Sequence, residues 1–151
     1  MQNLKQLKLN LIKLTMICGI MKIHIDTNTF SYAKRGNLSA QSILKKAEEI
    51  LISPIVIAEI LIGFKLGTKE VQNKNEFYEF LDSPRLSVFE IGEMTAEHYS
   101  NIFLQLKKSG KPIPTNDIWI AASAMENGMP LATFDKHFSN IQGLLLVPGL
   151  Y

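Results

Sequence analysis

The ten residues MKIHIDTNTF (21–30) place a short apolar strand, a carboxylate and the start of a helix in direct succession. Apolar and polar residues alternate at its start, which predicts a strand over 21–25. Asp26 comes next, and a helix is predicted over 28–35. Ligands of α/β proteins bind beyond the carboxyl ends of parallel strands, so Asp26 occupies a position where a functional site is expected.

Strands and helices alternate along the rest of the chain. Further strands are predicted over 50–52, 86–89, 130–133 and 144–146. Further helices are predicted over 39–49, 54–66, 70–82, 94–108 and 116–127, with a short turn of helix at 135–139. Such alternation is typical of a parallel sheet covered on both faces by helices. The predicted fold class is therefore α/β.

Length and composition indicate one compact domain. The chain has 151 residues, 46% of them hydrophobic, and a single cysteine, Cys18. One cysteine excludes an intramolecular disulfide, and the three histidines lack the paired cysteines of a zinc finger. No apolar run approaches the roughly 20 residues that span a bilayer. We expect a soluble, cytoplasmic protein without a membrane segment.

The first twenty residues differ in character from the rest. They carry three lysines and no acid, which leaves 13 basic and 14 acidic side chains in the rest of the chain. The domain that follows is therefore not a bulk polycation. Lys13 interrupts the apolar run and no small-residue cleavage pattern follows, which argues against a secretory signal. Because Met21 is a second plausible start, residues 1–20 are either an upstream extension or an amphipathic arm that packs on the domain or a partner. We predict one domain over 21–151.

Four acidic residues are candidates for chemistry, although each has a structural alternative. Asp26 and Asp135 follow predicted strands and could simply cap the next helix. Asp117 lies in the first turn of a helix, where the helix dipole favours an anion. Glu59 is the one acid among seven apolar side chains in 55–62. Its alternatives are an ion pair inside the fold or an exposed stripe of the helix, since an unpaired buried carboxylate costs several kcal/mol.

The four acids are better explained together than as independent caps. Three of them lie at loop or helix-start positions on one sheet edge, and a hard, oxygen-binding cation would explain all four. Mg²⁺ usually takes one or two protein carboxylates plus water and phosphate oxygens, so four acids predict one metal site with room for a second. Such a site supports phosphodiester hydrolysis by a metal-bound water. The histidines are predicted to be packed (His24) or on helix surfaces (His98 and His137).

On these residues the sequence resembles the PIN-domain ribonucleases, and in particular the VapC-type toxins of toxin–antitoxin pairs. The resemblance covers residues 21 to about 148. It is carried by DTN (26–28), SPIVIAEILIG (53–63), PTNDIWIAASAMENGMPLATFDKHF (114–138) and LLLVPG (144–149).

The resemblance implies a PIN-like three-layer α/β/α fold, with a central parallel sheet of about five strands in the order 3-2-1-4-5. It also implies a catalytic and metal-binding quartet and a set of supporting polar residues. The quartet is Asp26, Glu59, Asp117 and Asp135, and the supporting residues are Asn28, Thr133 and Asn116.

The implied activity is that of a Mg²⁺- or Mn²⁺-dependent endoribonuclease, with tRNA among the candidate substrates. The implied partners are a second copy of the chain and a VapB-type antitoxin. Two alternatives stay open. A HAD-like phosphatase also begins with a strand that ends in Asp, but it requires a second Asp where this chain has Asn28. A catalytically silent PIN-fold module would bind RNA or antitoxin without turnover.

Overall fold

The computed structural model describes Gln6, Asn10 and residues 21–150. Residues 21–150 contain one parallel sheet with helices on both faces. The strands are β1 (Met21–Ile25), β2 (Ala47–Ile52), β3 (Leu86–Val88) and β4 (Leu131–Ala132). The helices are α1 (Thr27–Lys34), α2 (Leu38–Lys46), α3 (Pro54–Lys65), α4 (Glu70–Leu81), α5 (Glu93–Ser109) and α6 (Thr115–Glu126), followed by a 3₁₀ helix (Lys136–Asn140). The predicted three-layer α/β/α class is confirmed.

Strand order in the sheet is β3-β2-β1-β4. A fifth strand was expected over 144–146, but this segment forms a single parallel bridge between Leu146 and Leu131. Leu131 donates its N–H to the carbonyl of Leu145 at 2.8 Å and accepts one from Val147 at 3.0 Å. The segment stays short because β4 itself has two residues and because Pro148, which has no N–H, follows at once. The predicted five strands are therefore corrected to four, with the fifth position in the predicted order held by this bridge.

The boundary between α2 and β2 is a second correction. Residues 47–49 were predicted as helix, but they begin β2, where Ala47 aligns with Met21 of β1. The carbonyls at the end of α2 are satisfied by Arg85, whose Nη1 lies 2.5 Å from the Ala47 oxygen and 3.3 Å from the oxygens of Leu44 and Lys45. Helix termini need such donors for their last carbonyls, so a distant arginine ends this helix.

The core lies on both faces of the sheet around β1, which pairs with β2 on one side and with β4 on the other. Ile23 and Ile25 of β1 are fully buried, as are Leu131 and Ala132 of β4. As predicted, α3 begins after Ser53, which caps the helix through Val56 N, with proline at the first helical position. No helix among the described residues is both long and apolar enough to cross a bilayer. In this fold the carboxyl ends of the parallel strands β1 and β4 lie at one edge of the sheet, beside the starts of α1 and α6.

Candidate active site

Asp26 is the buried anchor of the site. It follows β1 and caps α1: its Oδ1 accepts hydrogen bonds from the backbone N of Thr29 at 2.7 Å and from the Thr29 hydroxyl at 2.8 Å. Its Oδ2 accepts one from the Thr133 hydroxyl at 2.6 Å. The residue is only 3% exposed, and this burial raises the pKa of Asp26 even though the three donors act in the opposite direction. Asp26 therefore does cap α1, as its structural alternative predicted, and its carboxylate also lies at the candidate site.

Two threonines tie the start of α1 to the end of β4. The Thr29 hydroxyl lies 2.6 Å from the carbonyl oxygen of Ala132 as well as near Asp26, so its single proton is shared between two acceptors. The Thr133 hydroxyl also accepts the backbone N–H of Asp135 at 3.0 Å. Asp26 and Asp135 are thus held in one hydrogen-bond network through Thr133.

Glu59 reaches the same edge from α3. Its Oε2 accepts a hydrogen bond from the Thr27 hydroxyl, and its Oε1 accepts one from Asn116 Nδ2 at 2.8 Å. The side chain is half-buried, and no lysine or arginine of the described residues forms an ion pair with it. An ion pair inside the fold, one of the alternatives for this acid, is therefore wrong for the described part of the chain.

Asp117 lies in the first turn of α6 and is half-buried. Burial, together with the charges of Asp135, Glu59 and Asp26, raises its pKa to about 6. Burial is the largest cause, and like charges nearby add to it because both disfavour the ionised carboxylate. The four predicted acids therefore lie close enough to act on one another electrostatically.

Asp135 completes the cluster from the loop after β4. It caps the 3₁₀ helix, and its Oδ1 accepts the backbone N–H of His137 at 2.8 Å. The imidazole Nδ1 of His137 lies 3.3 Å from the same oxygen. Ligand-capable atoms of Asp117, Asp135 and His137 all lie within 4.8 Å of one another. The sequence placed His137 on a helix surface and did not predict its place in this cluster.

The predicted supporting residues have different surroundings. Thr133 contacts Asp26 and Asn116 contacts Glu59. Asn28 is half-buried in the first turn of α1, and its supporting role stays a prediction.

Sequence reasoning missed Thr27 and Thr29, which hold Glu59 and Asp26. A signal existed for Thr29, since hydroxyl residues near a capping Asp often bond back to it. None existed for the contact between Thr27 and a residue on another helix.

The PIN domain family matches residues 23–144, which contain all four acids. The chain belongs to the PIN domain family. The resemblance to VapC-type members is confirmed by curated relatives. The chain is 33% identical to ribonuclease VapC2 of Haemophilus influenzae over 116 residues, which cover 76% of this chain and 86% of the relative. It is 33% identical to ribonuclease VapC1 of Rickettsia felis over 131 residues, which cover 82% and 93%.

A solved structure shows the same relationship for this PIN domain. The crystal structure of VapBC2 from Rickettsia felis, bound to a DNA fragment from its promoter, contains a chain that is 30% identical, with a TM-score of 0.74. The match covers 83% of this PIN domain chain and 97% of the other chain.

Proposed function

We propose that this PIN domain is a Mg²⁺- or Mn²⁺-dependent endoribonuclease that hydrolyses RNA phosphodiester bonds, and that it is the toxin of a toxin–antitoxin pair. The observation that carries the proposal is the placement of four carboxylates near the carboxyl ends of β1 and β4: ligand-capable atoms of Asp117 and Asp135 lie within 4.8 Å of each other, and the charges of Glu59 and Asp26 also act on Asp117. The ribonuclease names of the VapC relatives support the reaction.

The chemistry of the donor set fits a divalent cation. The cluster offers carboxylate oxygens, which hard cations prefer, and among the described residues no lysine or arginine forms an ion pair with any of the four. Burial and the neighbouring acids both disfavour the ionised form of Asp117, and a bound cation would offset both effects. Asp26, Glu59, Asp117 and Asp135 are the residues that would hold it. When bound, such an ion supplies Lewis-acid polarisation of the phosphodiester and activation of a water.

The protein's own residues contribute rigidity and orientation. Asp26 has both carboxylate oxygens hydrogen-bonded and is buried, so it cannot rotate freely. Glu59 is held at both oxygens by Thr27 and Asn116. Asp117 accepts no hydrogen bond from the described residues, whereas each of the other three acids accepts at least one. Prior orientation of charged groups lowers the cost of reaching a reactive geometry.

The same proposal assigns a VapB-type antitoxin and a second copy of the chain as partners, with action in the cytoplasm. Three strongly exposed apolar side chains lie at the end of α3 and the start of α4: Ile62 is 56% exposed, Leu66 84% and Val71 74%. Contiguous exposed apolar surface marks protein-binding sites, so these three side chains are the candidates for a partner contact. The solved relative, which is a VapBC complex, supports this assignment.

The test is cleavage of total cellular RNA by purified protein with EDTA, Mg²⁺ or Mn²⁺. We expect cleavage that requires metal, is lost in Asp117→Asn, and is retained in Asp82→Asn, which removes an exposed acid at the end of α4. Equal cleavage by wild type and Asp117→Asn would indicate a contaminating nuclease and contradict the proposal. RNA binding without cleavage at any metal concentration would instead favour the silent PIN-fold module.

A further inference from the structure

His137 is the ligand-capable side chain of the site that the acidic quartet does not include. It is the second residue of the 3₁₀ helix that follows Asp135. Its side chain is 63% exposed, so it contributes little to the core. Asp135 caps this helix by accepting the His137 backbone N–H at 2.8 Å from Oδ1, and the imidazole Nδ1 lies 3.3 Å from the same oxygen. The cap itself uses only the backbone N–H, so the imidazole beside the acids can serve a second role.

The distances suit shared coordination of one ion. Ligand-capable atoms of His137, Asp117 and Asp135 lie within 4.8 Å of one another. Protein ligands lie about 2.0–2.2 Å from ions such as Zn²⁺ or Mg²⁺, so two ligands on opposite sides of one ion are about 4 Å apart. The exposed imidazole has room to move by the remaining fraction of an ångström. Asp135, which is held by Thr133 and by the His137 N–H, keeps the ring close.

An imidazole changes which ion such a site prefers. Mg²⁺ favours oxygen ligands, whereas the affinity of a mixed nitrogen and oxygen site rises from Mn²⁺ through Fe²⁺ and Co²⁺ to Ni²⁺. We propose that His137 is a nitrogen ligand to the catalytic ion and that it shifts the preference of the site from Mg²⁺ towards Mn²⁺ and later first-row ions such as Co²⁺. This inference rests on the proposed function, because it adds a ligand to the same metal site.

Electron spin echo spectroscopy of bound Mn²⁺ gives a direct readout, because a coordinated imidazole nitrogen modulates the echo. The experiment uses the full chain, free of a histidine tag, in a nitrogen-free buffer. We expect nitrogen modulation in wild type and in the control His98→Gln, whose histidine lies on α5, and loss of modulation in His137→Gln with Mn²⁺ still bound. Modulation that persists in His137→Gln, or Mn²⁺ bound to wild type without modulation, would overturn the inference.

Calorimetric titration of the chelator-treated protein with Mg²⁺ and Co²⁺ separates this inference from the proposed function. We expect His137→Gln to weaken Co²⁺ binding about tenfold or more, the scale on which supporting groups of metal sites act, and to change Mg²⁺ binding much less. Equal effects on both ions would refute the ligand assignment while the nuclease proposal stands. No binding of any ion to wild type, or equal binding to Asp117→Asn, would refute the proposed function and the inference with it.

Discussion

The hydroxyl of Thr133, just beyond β4, donates a 2.6 Å hydrogen bond to Oδ2 of Asp26, just beyond β1. The two residues are 107 positions apart in the chain, and both are buried. This contact joins the carboxyl ends of two neighbouring parallel strands at the point where the acids converge. It links the stability of the sheet edge to the geometry of the candidate site.

Replacing Thr133 by valine removes this donor at nearly constant volume. We expect Thr133→Val to lower the free energy of unfolding by about 1–3 kcal/mol, because a buried oxygen of Asp26 and the N–H of Asp135 each lose a partner. Thr133→Ser keeps the hydroxyl and is the matched control, with a smaller loss. Denaturant unfolding measures the difference, and equal stabilities of the valine and serine variants would contradict it.

Replacing Thr27 tests how strongly the activity depends on the orientation of Glu59. We expect Thr27→Val to reduce the initial rate of RNA cleavage about tenfold, because Oε2 of Glu59 loses the donor that holds it. Stability should change little, since both side chains are only half-buried. Thr27→Ser should restore most of the rate. A valine variant that cleaves at the wild-type rate would show that Asn116 alone positions Glu59.

We expect the ionised carboxylate of Asp117 to lower the stability of the metal-free protein. Its pKa is about 6 in the folded chain, against an ordinary value of 3.8, so its contribution to stability is present below pH 3.8 and is lost as the pH rises through about 6. Above pH 7 the ionised group therefore destabilises the metal-free protein. We expect Asp117→Asn to raise the free energy of unfolding in EDTA at pH 7.5 by about 1 kcal/mol, a value reduced for solvent screening of this half-exposed group.

The gain in Asp117→Asn should disappear at pH 4, where the wild-type carboxyl is largely protonated. It should also be reversed by saturating Mg²⁺, which stabilises the protein that binds it. Asp82→Asn, outside the cluster, should show neither effect. Denaturant titrations of the three proteins at both pH values measure this, and a gain in Asp117→Asn that does not depend on pH would contradict the ionised carboxylate as its cause.

We expect the buried His24 to cause a separate loss of stability in acid. The ring is fully buried on β1, its Nε2 has no partner among the described residues, and burial lowers its pKa to about 4. Because the folded pKa lies below the ordinary value of 6.5, the stabilising contribution is complete above pH 6.5 and is lost as the pH falls towards 4. The loss amounts to about 3 kcal/mol, at about 1.4 kcal/mol for each pKa unit.

His24→Leu removes this titration while keeping an apolar group in the core. The stability of His24→Leu relative to wild type should therefore increase by about 3 kcal/mol between pH 7 and pH 4. Comparing the two proteins at each pH cancels the carboxylates that they share. A difference in unfolding free energy that stays constant with pH would exclude His24 as the source of acid sensitivity.

Local sequence patterns predicted most of the fold and the four candidate acids. Alternation of apolar residues predicted β1 at 21–25, and the helix predicted from residue 54 begins there as α3. Asp26 and Asp135 could be placed beyond strands because strand ends are readable from nearby residues. These features depend on neighbours within a few positions, which is the range over which backbone preferences and capping act.

Tertiary structure decided the features that depend on distant partners. Arg85 ends α2 and pairing with β1 begins β2 at Ala47, so the helix predicted to 49 stops earlier. The contacts of Thr27 with Glu59, 32 positions away, and of Thr133 with Asp26 follow from packing. The sequence alone determined an α/β chain with four acids at predictable positions. Only the folded structure decided which hydroxyls hold them and that His137 lies beside them, because a hydrogen bond or a metal ligand is selected by distance in space.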